Sequence, residues 1–250
     1  MNSKIYSAVR KVNNKNSRNV PHSSGYFYSF KMKSEIPYES LSECYFYYFL
    51  DSNPLVKTFH PQPLKVAVPF LNEEGDVDYW EHVPDVLVFW ESEESIPTLY
   101  QVKYEEKLDD RKQQLSDKEC VKYCEKNNWK YEVVEIVKVD KTVIKNLKFL
   151  HGFIKNKQFY KDTSPLIEEL MYTYGEMSID NICVKLQEDY NELYLLPTIY
   201  YLVATGKLTI NLFELIGRNS QVSKGSLISQ LETNLKEVIN SENYIIENKC

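Results

Sequence analysis

The segment from Ser40 to Leu50 most constrains the fold, because it predicts a helix that is apolar on every side. Apolar side chains recur at helical spacing along it and also cover the rest of its surface: Leu41, Tyr45, Phe46, Tyr47, Tyr48, Phe49 and Leu50. The run Asp51–Pro54 then supplies residues that end a helix. A helix without a polar face is buried in a protein core. Other elements must therefore surround this helix.

The residues around this helix alternate between strand and helix patterns. We predict strands over 26–30, 65–70, 83–90, 99–104 and 131–139, and helices over 108–127 and 142–155. The order of helix, three strands, helix and strand is typical of an α/β sheet domain of about 160 residues. With 43% hydrophobic residues, the chain can bury such a core.

A second unit is predicted to begin near the cap-and-proline cluster Lys161–Pro165. Helices over 163–174, 178–190 and 195–205 precede a β segment over 207–212, which is the outline of a winged-helix domain. We therefore divide the chain into a basic arm (1–34), an α/β domain (35–162) and a winged-helix-like domain with a tail (163–250). The stretch Leu193–Thr205 has no basic residue, so we expect the last domain to dock a protein rather than read DNA bases.

The charge of the chain is distributed unevenly. A formal net charge of −6 argues at first sight against a nucleic-acid partner. Residues 1–34, however, contain no acid and seven basic residues: Lys4, Arg10, Lys11, Lys15, Arg18, Lys31 and Lys33. All 36 acidic residues lie in 35–250. A basic arm before an acidic body is compatible with a polyanion partner and equally with a merely soluble N-terminus.

Composition also disfavours several function classes. The seven glycines form neither GxxxxGK nor GxGxxG, which argues against a nucleotide-cradling enzyme. The longest uncharged apolar stretch, Leu193–Gly206, is too short to span a bilayer, and the N-terminus lacks the apolar segment of a secretory signal. Five scattered cysteines suit free thiols, and Cys120 and Cys124 have no nearby histidine to complete a zinc site. We expect a cytoplasmic protein without a membrane partner.

Three residues on two predicted strands form the pattern that carries chemistry. Asp85 opens one strand, and sixteen residues later the next strand contains Gln101 and Lys103. Because side chains alternate along a strand, Gln101 and Lys103 project to the same side, and Asp85 lies beside them if the strands pair. Such a set suits metal-assisted phosphodiester hydrolysis. Oxygen ligands hold Mg²⁺, and the lysine orients or deprotonates the attacking water.

Magnesium needs a further carboxylate, and Glu43 on the apolar helix is the candidate. A buried acid requires a partner, which favours a ligand role. The run Ser40–Glu43 also fits a capping box, in which Ser40 and Glu43 satisfy the first turn of the helix. Likewise, Gln101 and Lys103 can be interpreted as a solvent-facing strand edge. The residues alone leave these alternatives open.

Taken together, the motifs of the first 105 residues resemble those of the TnsA family, the endonuclease subunit of heteromeric transposases. The matching segments occur in the family's order and spacing: Tyr28-Ser29-Phe30-Lys31, Tyr38-Glu39-Ser40 with Glu43, Gln62-Pro63, Pro84-Asp85 and Gln101-Val102-Lys103. The resemblance implies a restriction-endonuclease-like, PD-(D/E)xK core. In it Glu43, Asp85 and Gln101 hold one or two Mg²⁺ ions, which Mn²⁺ can replace, and Lys103 serves the attacking water. Gln101 stands where many such nucleases carry glutamate.

The resemblance also implies a place in cut-and-paste DNA transposition. The chain is expected to cut the 5′-end strand at each transposon end, while a TnsB-like DDE transposase cuts the 3′ ends and a TnsC-like ATP-dependent regulator links both to the target. The residues assigned to transposon-end DNA are Arg10, Lys11, Arg18, Ser29, Lys31 and Lys33. Two other hypotheses are a stand-alone restriction or repair nuclease, and a non-catalytic adaptor in which Glu43 caps a helix and Lys103 faces solvent.

Overall fold

The computed structural model describes residue 6 and residues 24–104, 111–136, 139 and 141–240, without the side chains of 104 and 236–240. The chain divides into two compact units. The first comprises residues 1–137 together with 235–250, and the second comprises residues 138–234. Each unit is described by itself.

The elements follow one another along the chain in both units. The first unit begins with β1 (Gly25–Ser29), β2 (Ser34–Tyr38), α1 (Leu41–Ser52), β3 (Val56–Pro61), β4 (Val66–Leu71), β5 (Val77–His82), β6 (Val86–Trp90), β7 (Thr98–Tyr104), α2 (Arg111–Asn127) and β8 (Lys130–Ile136). The second unit contains α3 (Lys141–His151), α4 (Tyr160–Tyr174), β9 (Met177–Ser178), α5 (Ile179–Leu186), α6 (Glu192–Ala204), β10 (Leu208–Ile210), β11 (Gln221–Lys224) and α7 (Leu227–Glu232). The chain then returns to the first unit as β12 (Leu235–Asn240).

The first unit is built on a mixed five-stranded sheet in the order β12-β8-β7-β6-β3. Strand β6 pairs with β3 and β7 in antiparallel fashion, whereas β7 and β8 are parallel and are joined through α2. The sheet packs Leu87, Leu99 and Tyr131 against Cys120 and Cys124 of α2. The α/β class is therefore confirmed, and a mixed sheet of this kind fits a restriction-endonuclease-like fold. Cys120 and Cys124 are core residues here.

The apolar helix is the buried α1. Ser40 caps it, since the Ser40 hydroxyl accepts the backbone N–H of Glu43 at 3.1 Å. Every residue from Cys44 to Asp51 is buried. The charge of Asp51 is accommodated because its carboxylate accepts the Ser29 hydroxyl and the backbone N–H of Lys31 at 3.2 Å. The end of α1 thus holds the turn between β1 and β2.

Two features of the first unit differ from the sequence-based expectation. The predicted strand 65–70 is β4, which pairs only with β5 in a two-stranded sheet of its own among the described residues. The two edge strands of the main sheet are instead β3 and β12. The sequence pattern did not reveal β3, and β12 comes from the far end of the chain. Residues 241–250, the end of the predicted tail, lie outside the described residues.

The second unit surrounds α6, whose Leu195, Ile199, Leu202 and Val203 are all fully buried. Helices α3, α4 and α5 and strand β10 contact this helix. The three short strands described in the second unit form an antiparallel sheet in the order β10-β11-β9. The apolar sequence of α6 is therefore explained by its central position in this unit.

The boundary between the units lies at residues 137 and 138, rather than at the predicted 162 and 163. Helix α3 belongs to the second unit because Asn146 ties it there. The Asn146 amide donates to the carbonyls of Leu212 and Glu214 at 2.9 and 2.6 Å and accepts the backbone N–H of Ile216 at 3.2 Å. The described part of the chain contains no helix long and apolar enough to cross a membrane.

Candidate active site

Strands β6 and β7 place Asp85 next to Gln101. Val86 lies opposite Tyr100 in the antiparallel register, and the backbone N–H of Asp85 donates to the Tyr100 carbonyl at 3.1 Å. The Gln101 amide Nε2 donates to Asp85 Oδ2, and the backbone N–H of Val102 donates to the same oxygen at 2.7 Å. The spacing of sixteen residues thus brings the carboxylate and the amide together at the start of β6.

The backbone around Asp85 is held from a third direction by Gln62. The backbone N–H of Gln62 donates to the Asp85 carbonyl at 2.7 Å. Gln62 itself adopts φ 45°, in the left-handed region that non-glycine residues seldom occupy. The Gln-Pro pair therefore has a structural purpose: it turns the chain after β3 so that it contacts the loop carrying Asp85.

Lys103 is buried and paired with Asp117 of α2. The Lys103 ammonium lies 2.9 Å from Asp117 Oδ2, and the two side chains are 8% and 1% exposed. The other oxygen, Oδ1, accepts from Gln113 Nε2 at 2.8 Å and from the Tyr131 hydroxyl at 2.7 Å. The interpretation of Lys103 as a solvent-facing residue is therefore wrong, because β7 lies between β6 and β8 and α2 carries a buried carboxylate to the lysine.

Asp117 is the site residue that the sequence reasoning missed. It shares a helical face with Cys120, Val121 and Cys124, all of which are buried against the sheet. An acid on the buried face of an otherwise charged helix was the available signal, because a buried carboxylate requires a partner.

Glu43 caps α1, as one of the two interpretations of the sequence predicts, and its role as a metal ligand stays a prediction. Its Oε1 accepts the Ser40 hydroxyl at 3.1 Å and its Oε2 accepts the backbone N–H of Glu39 at 3.0 Å, so it does stabilise the start of α1. Burial, followed by the charges of Glu43 and Asp85, raises the pKa of the Tyr47 hydroxyl. The carboxylates of Glu43 and Asp85 thus both act on the Tyr47 hydroxyl.

His82, at the end of β5, is a further polar neighbour of this group. Its Nε2 lies 3.1 Å from Gln101 Oε1. Burial is the largest influence on the ring and lowers the pKa of His82, and the cations of Lys103 and Lys112 act in the same direction. The charge of Asp117 and the bond to Gln101 oppose this shift.

Of the residues described above, His82, Asp85, Gln101 and Gln113 line a cleft of about 550 Å³. Its walls carry both signs of charge, and its lining residues are Lys65, Trp80, Glu81, His82, Val83, Asp85, Gln101, Lys112, Gln113 and Ser116. The Lys65 ammonium pairs with Glu81 at 2.6 Å, and the Lys112 ammonium lies 5.2 Å from the centre of the Trp80 ring. Cations thus flank the cleft, where an anionic substrate would meet them.

Oxygen donors dominate the floor of this cleft. Asp85 supplies a carboxylate and Gln101 an amide oxygen, and these are ligands that Mg²⁺ and Mn²⁺ accept. The described residues include no group of three His, Cys, Asp or Glu side chains arranged to hold a metal. Asp85 and Gln101 thus carry oxygen atoms of the kind that a hard cation accepts, whereas no thiol is among the residues that line the cleft.

Two of the residues assigned to DNA have structural contacts. Ser29 is completely buried and donates to Asp51, and the Lys31 ammonium donates to the Val56 carbonyl at 2.8 Å. Desolvation lowers the pKa of Lys31 accordingly. Both side chains therefore contact the protein itself, and their assignment to DNA stays a prediction. Lys33 is exposed in that turn, whereas Arg10, Lys11 and Arg18 lie outside the described residues.

Residues 53–135 match the family described as TnsA-like endonuclease N terminal. No curated protein matches the chain. The matched segment contains Asp85, Gln101, Lys103 and Asp117, whereas Glu43 precedes it. At family level the match identifies a nuclease of Tn7-type transposition. The resemblance drawn from the motifs is confirmed for this segment, which is similar to the N-terminal domain of TnsA-like endonucleases.

Proposed function

We propose that this chain is a Mg²⁺-dependent endonuclease that cuts the 5′-end, non-transferred strands at transposon ends within a heteromeric transposase. One observation carries the proposal. The Asp85–Gln101 contact adjoins the buried Lys103–Asp117 pair, inside the segment that matches the endonuclease family. A ligand set and a fixed cation at one cleft are what phosphodiester hydrolysis requires.

Glu43, Asp85 and Gln101 would hold one or two Mg²⁺ ions, with Mn²⁺ as a substitute. Bound there, the metal supplies a Lewis acid for a phosphate oxygen and promotes ionisation of the attacking water. The side chains prepare this role through their fixed positions. Asp85 is oriented by the Val102 N–H at 2.7 Å, and Glu43 by two bonds at the start of α1.

Lys103 supplies a positive charge that need not be reorganised during the reaction. Its ammonium is oriented by Asp117, whose own two oxygens are held by three donors: Lys103, Gln113 and Tyr131. An ammonium carries three N–H donors, so the bond to Asp117 leaves it able to orient a water or contact a phosphate oxygen. In the proposed reaction Lys103 orients the nucleophile and offsets charge that develops on the phosphate.

Transposon-end DNA would lie across the cleft. Lys65 and Lys112 border the cleft, and Lys33 is exposed in the β1–β2 turn. We assign them, with Arg10, Lys11 and Arg18 of the arm, to contacts with phosphates. Such contacts position DNA without reading its sequence, which suits a nuclease delivered to its site by partners.

We further propose that the second unit is a winged-helix-like domain that docks the partner proteins. The order α4-β9-α5-α6-β10-β11, with the sheet order β10-β11-β9, supports the winged-helix interpretation. Helix α6 has no basic residue and buries Leu195, Ile199, Leu202 and Val203, which disfavours base reading. The expected partners are a TnsB-like DDE transposase, which cuts the 3′ ends, and a TnsC-like ATP-dependent regulator.

The test is strand-specific cleavage of end-labelled transposon DNA by the complete transposition machinery in Mg²⁺. Asp85→Ala and Lys103→Ala are expected to abolish 5′-strand cleavage, while cleavage of the 3′ ends by the partner subunit continues. Lys122→Ala is the matched control, because Lys122 is an exposed lysine on α2 paired with Glu119. Retained 5′ cleavage in both active-site variants would overturn the nuclease assignment and favour an adaptor. Cleavage of plain DNA without partners would favour a stand-alone nuclease.

A further inference from the structure

His82 contacts Gln101 on the side of the amide opposite to Asp85. The Gln101 amide uses Nε2 toward Asp85 Oδ2 and Oε1 toward His82 Nε2, the latter at 3.1 Å. The three side chains therefore form one continuous chain of hydrogen bonds along the floor of the cleft. None of the roles assigned above to site residues falls to His82.

We propose that His82 is a positioning residue that supports the Gln101 amide when its oxygen faces Asp85. The proposal rests on the proposed function, in which Gln101 is a metal ligand. It extends that function by assigning the orientation of the ligand to a residue that does not itself touch the metal.

The orientation matters because the two ends of an amide differ chemically. An amide oxygen has lone pairs that a hard cation accepts, whereas the amide nitrogen is a donor with none to offer. In the structure the nitrogen faces Asp85. For Asp85 and Gln101 to share a cation, the oxygen must face Asp85 instead, and this requires a half-turn of the terminal amide.

The backbone of Gln101 is held in place, so a half-turn of the amide takes place in the side chain. Gln101 lies opposite Val133 in the parallel register of β7 and β8, and the adjacent Tyr100 lies opposite Val86 on the other side. A residue in a central strand paired on both sides is held in its φ and ψ angles. Terminal amide torsions, by contrast, are broad and roughly two-fold.

His82 can stabilise both orientations of the amide. With its proton on Nε2 the imidazole donates to the amide oxygen, as the observed contact requires, and with its proton on Nδ1 it accepts from the amide nitrogen. The ring is half-buried, and its backbone is fixed by the pairing of His82 with Val66 in the β4–β5 hairpin. A side chain without a polar atom at this place would leave the turned amide nitrogen without its partner.

The first experiment measures Mn²⁺ binding to the full-length protein by calorimetry, without DNA. His82→Phe is expected to weaken Mn²⁺ affinity by about 10–100-fold, as is usual when a group that orients a metal ligand is removed. His82→Gln, which can donate or accept, is expected to bind close to wild type. His60→Phe is the matched control, because His60 is a buried histidine that packs on Phe89 at 5.7 Å. Equal affinity of wild type and His82→Phe, with all variants folded, would overturn the proposal.

The second experiment tests whether His82 acts through the orientation of the Gln101 amide or only through its position beside the metal site. In Gln101→Glu the two side-chain oxygens are equivalent, so no orientation needs to be selected. His82→Phe should then cost little Mn²⁺ affinity in the Gln101→Glu background while it costs about 10–100-fold in the wild type. The same loss in both backgrounds would contradict a role through the amide and indicate a merely structural effect.

The failure of this inference can be distinguished from the failure of the proposed function. Asp85→Asn should remove most Mn²⁺ binding if the cleft is the metal site. Unchanged binding in Asp85→Asn would overturn the metal site itself. Loss of binding in Asp85→Asn, together with wild-type binding in His82→Phe, would overturn only the role of His82.

Discussion

Asp85 and Asp117 contact neighbouring residues of the same strand but occupy opposite environments. Asp117 is 1% exposed, and its oxygens are held by Lys103, Gln113 and Tyr131. Asp85 lines the cleft and is oriented by Val102 and Gln101. A carboxylate enclosed by donors fixes a neighbouring cation, whereas one beside open space can bind something that enters. The contrast shows that burial, rather than residue type, decides the role of each acid.

The largest expected loss of unfolding free energy comes from breaking the buried Lys103–Asp117 ion pair. Asp117→Ala leaves the Lys103 ammonium buried without its partner, and such a loss costs about 3–5 kcal/mol of unfolding free energy. Asp85→Ala should cost about 1 kcal/mol, because it removes the acceptor of the Val102 N–H. Urea denaturation of both variants measures the difference. Equal losses would show that the two acids do not differ as described.

A second comparison separates the two roles of Glu43. Glutamine caps a helix as glutamate does, so Glu43→Gln should preserve stability while it removes the charge needed for the metal. Cleavage of the 5′ strand should fall by about 100-fold or more, in keeping with the several kcal/mol that a metal supplies. Ser40→Ala should do the reverse and cost about 1 kcal/mol of stability. Thermal melts and cleavage assays on both variants test this. If Glu43→Gln cleaved the 5′ strand as well as the wild type, Glu43 would only cap α1 and would not be a metal ligand.

The smallest expected effect concerns the surroundings of Asp117. Tyr131→Phe removes one donor from Asp117 Oδ1 but leaves Gln113 and Lys103 in place. We expect a loss of about 1 kcal/mol in urea denaturation. Tyr123→Phe, a partly buried tyrosine that packs on Trp129, is the control. If Tyr131→Phe lost as much unfolding free energy as Asp117→Ala, the Tyr131 hydroxyl rather than the Lys103–Asp117 ion pair would be the main source of stability.

Much of the first unit was predictable from local patterns. Helix α1 follows from an unbroken apolar surface, and β7 and β8 follow from runs of strand-forming residues bounded by turns. The adjacency of Asp85 and Gln101 follows from pairing consecutive strands. Strand β3 was missed because Val56–Pro61 contains polar residues and a proline, so its pattern is weak. The compact units differ from the predicted domains at α3, because the polar bonds of Asn146, which tie α3 to the second unit, have no sequence signature.

By itself, the sequence determined the elements whose information is local: the buried helix, its cap at Ser40, and the strand alternation that puts Gln101 and Lys103 on one side. Tertiary structure decided the partner of each charge. Asp117 meets Lys103 only because β7 and β8 run parallel, which carries α2 back across the sheet. Likewise, β12 joins β8 from nearly a hundred residues away. Contacts of this kind depend on how distant segments pack, and a one-dimensional pattern does not record that packing.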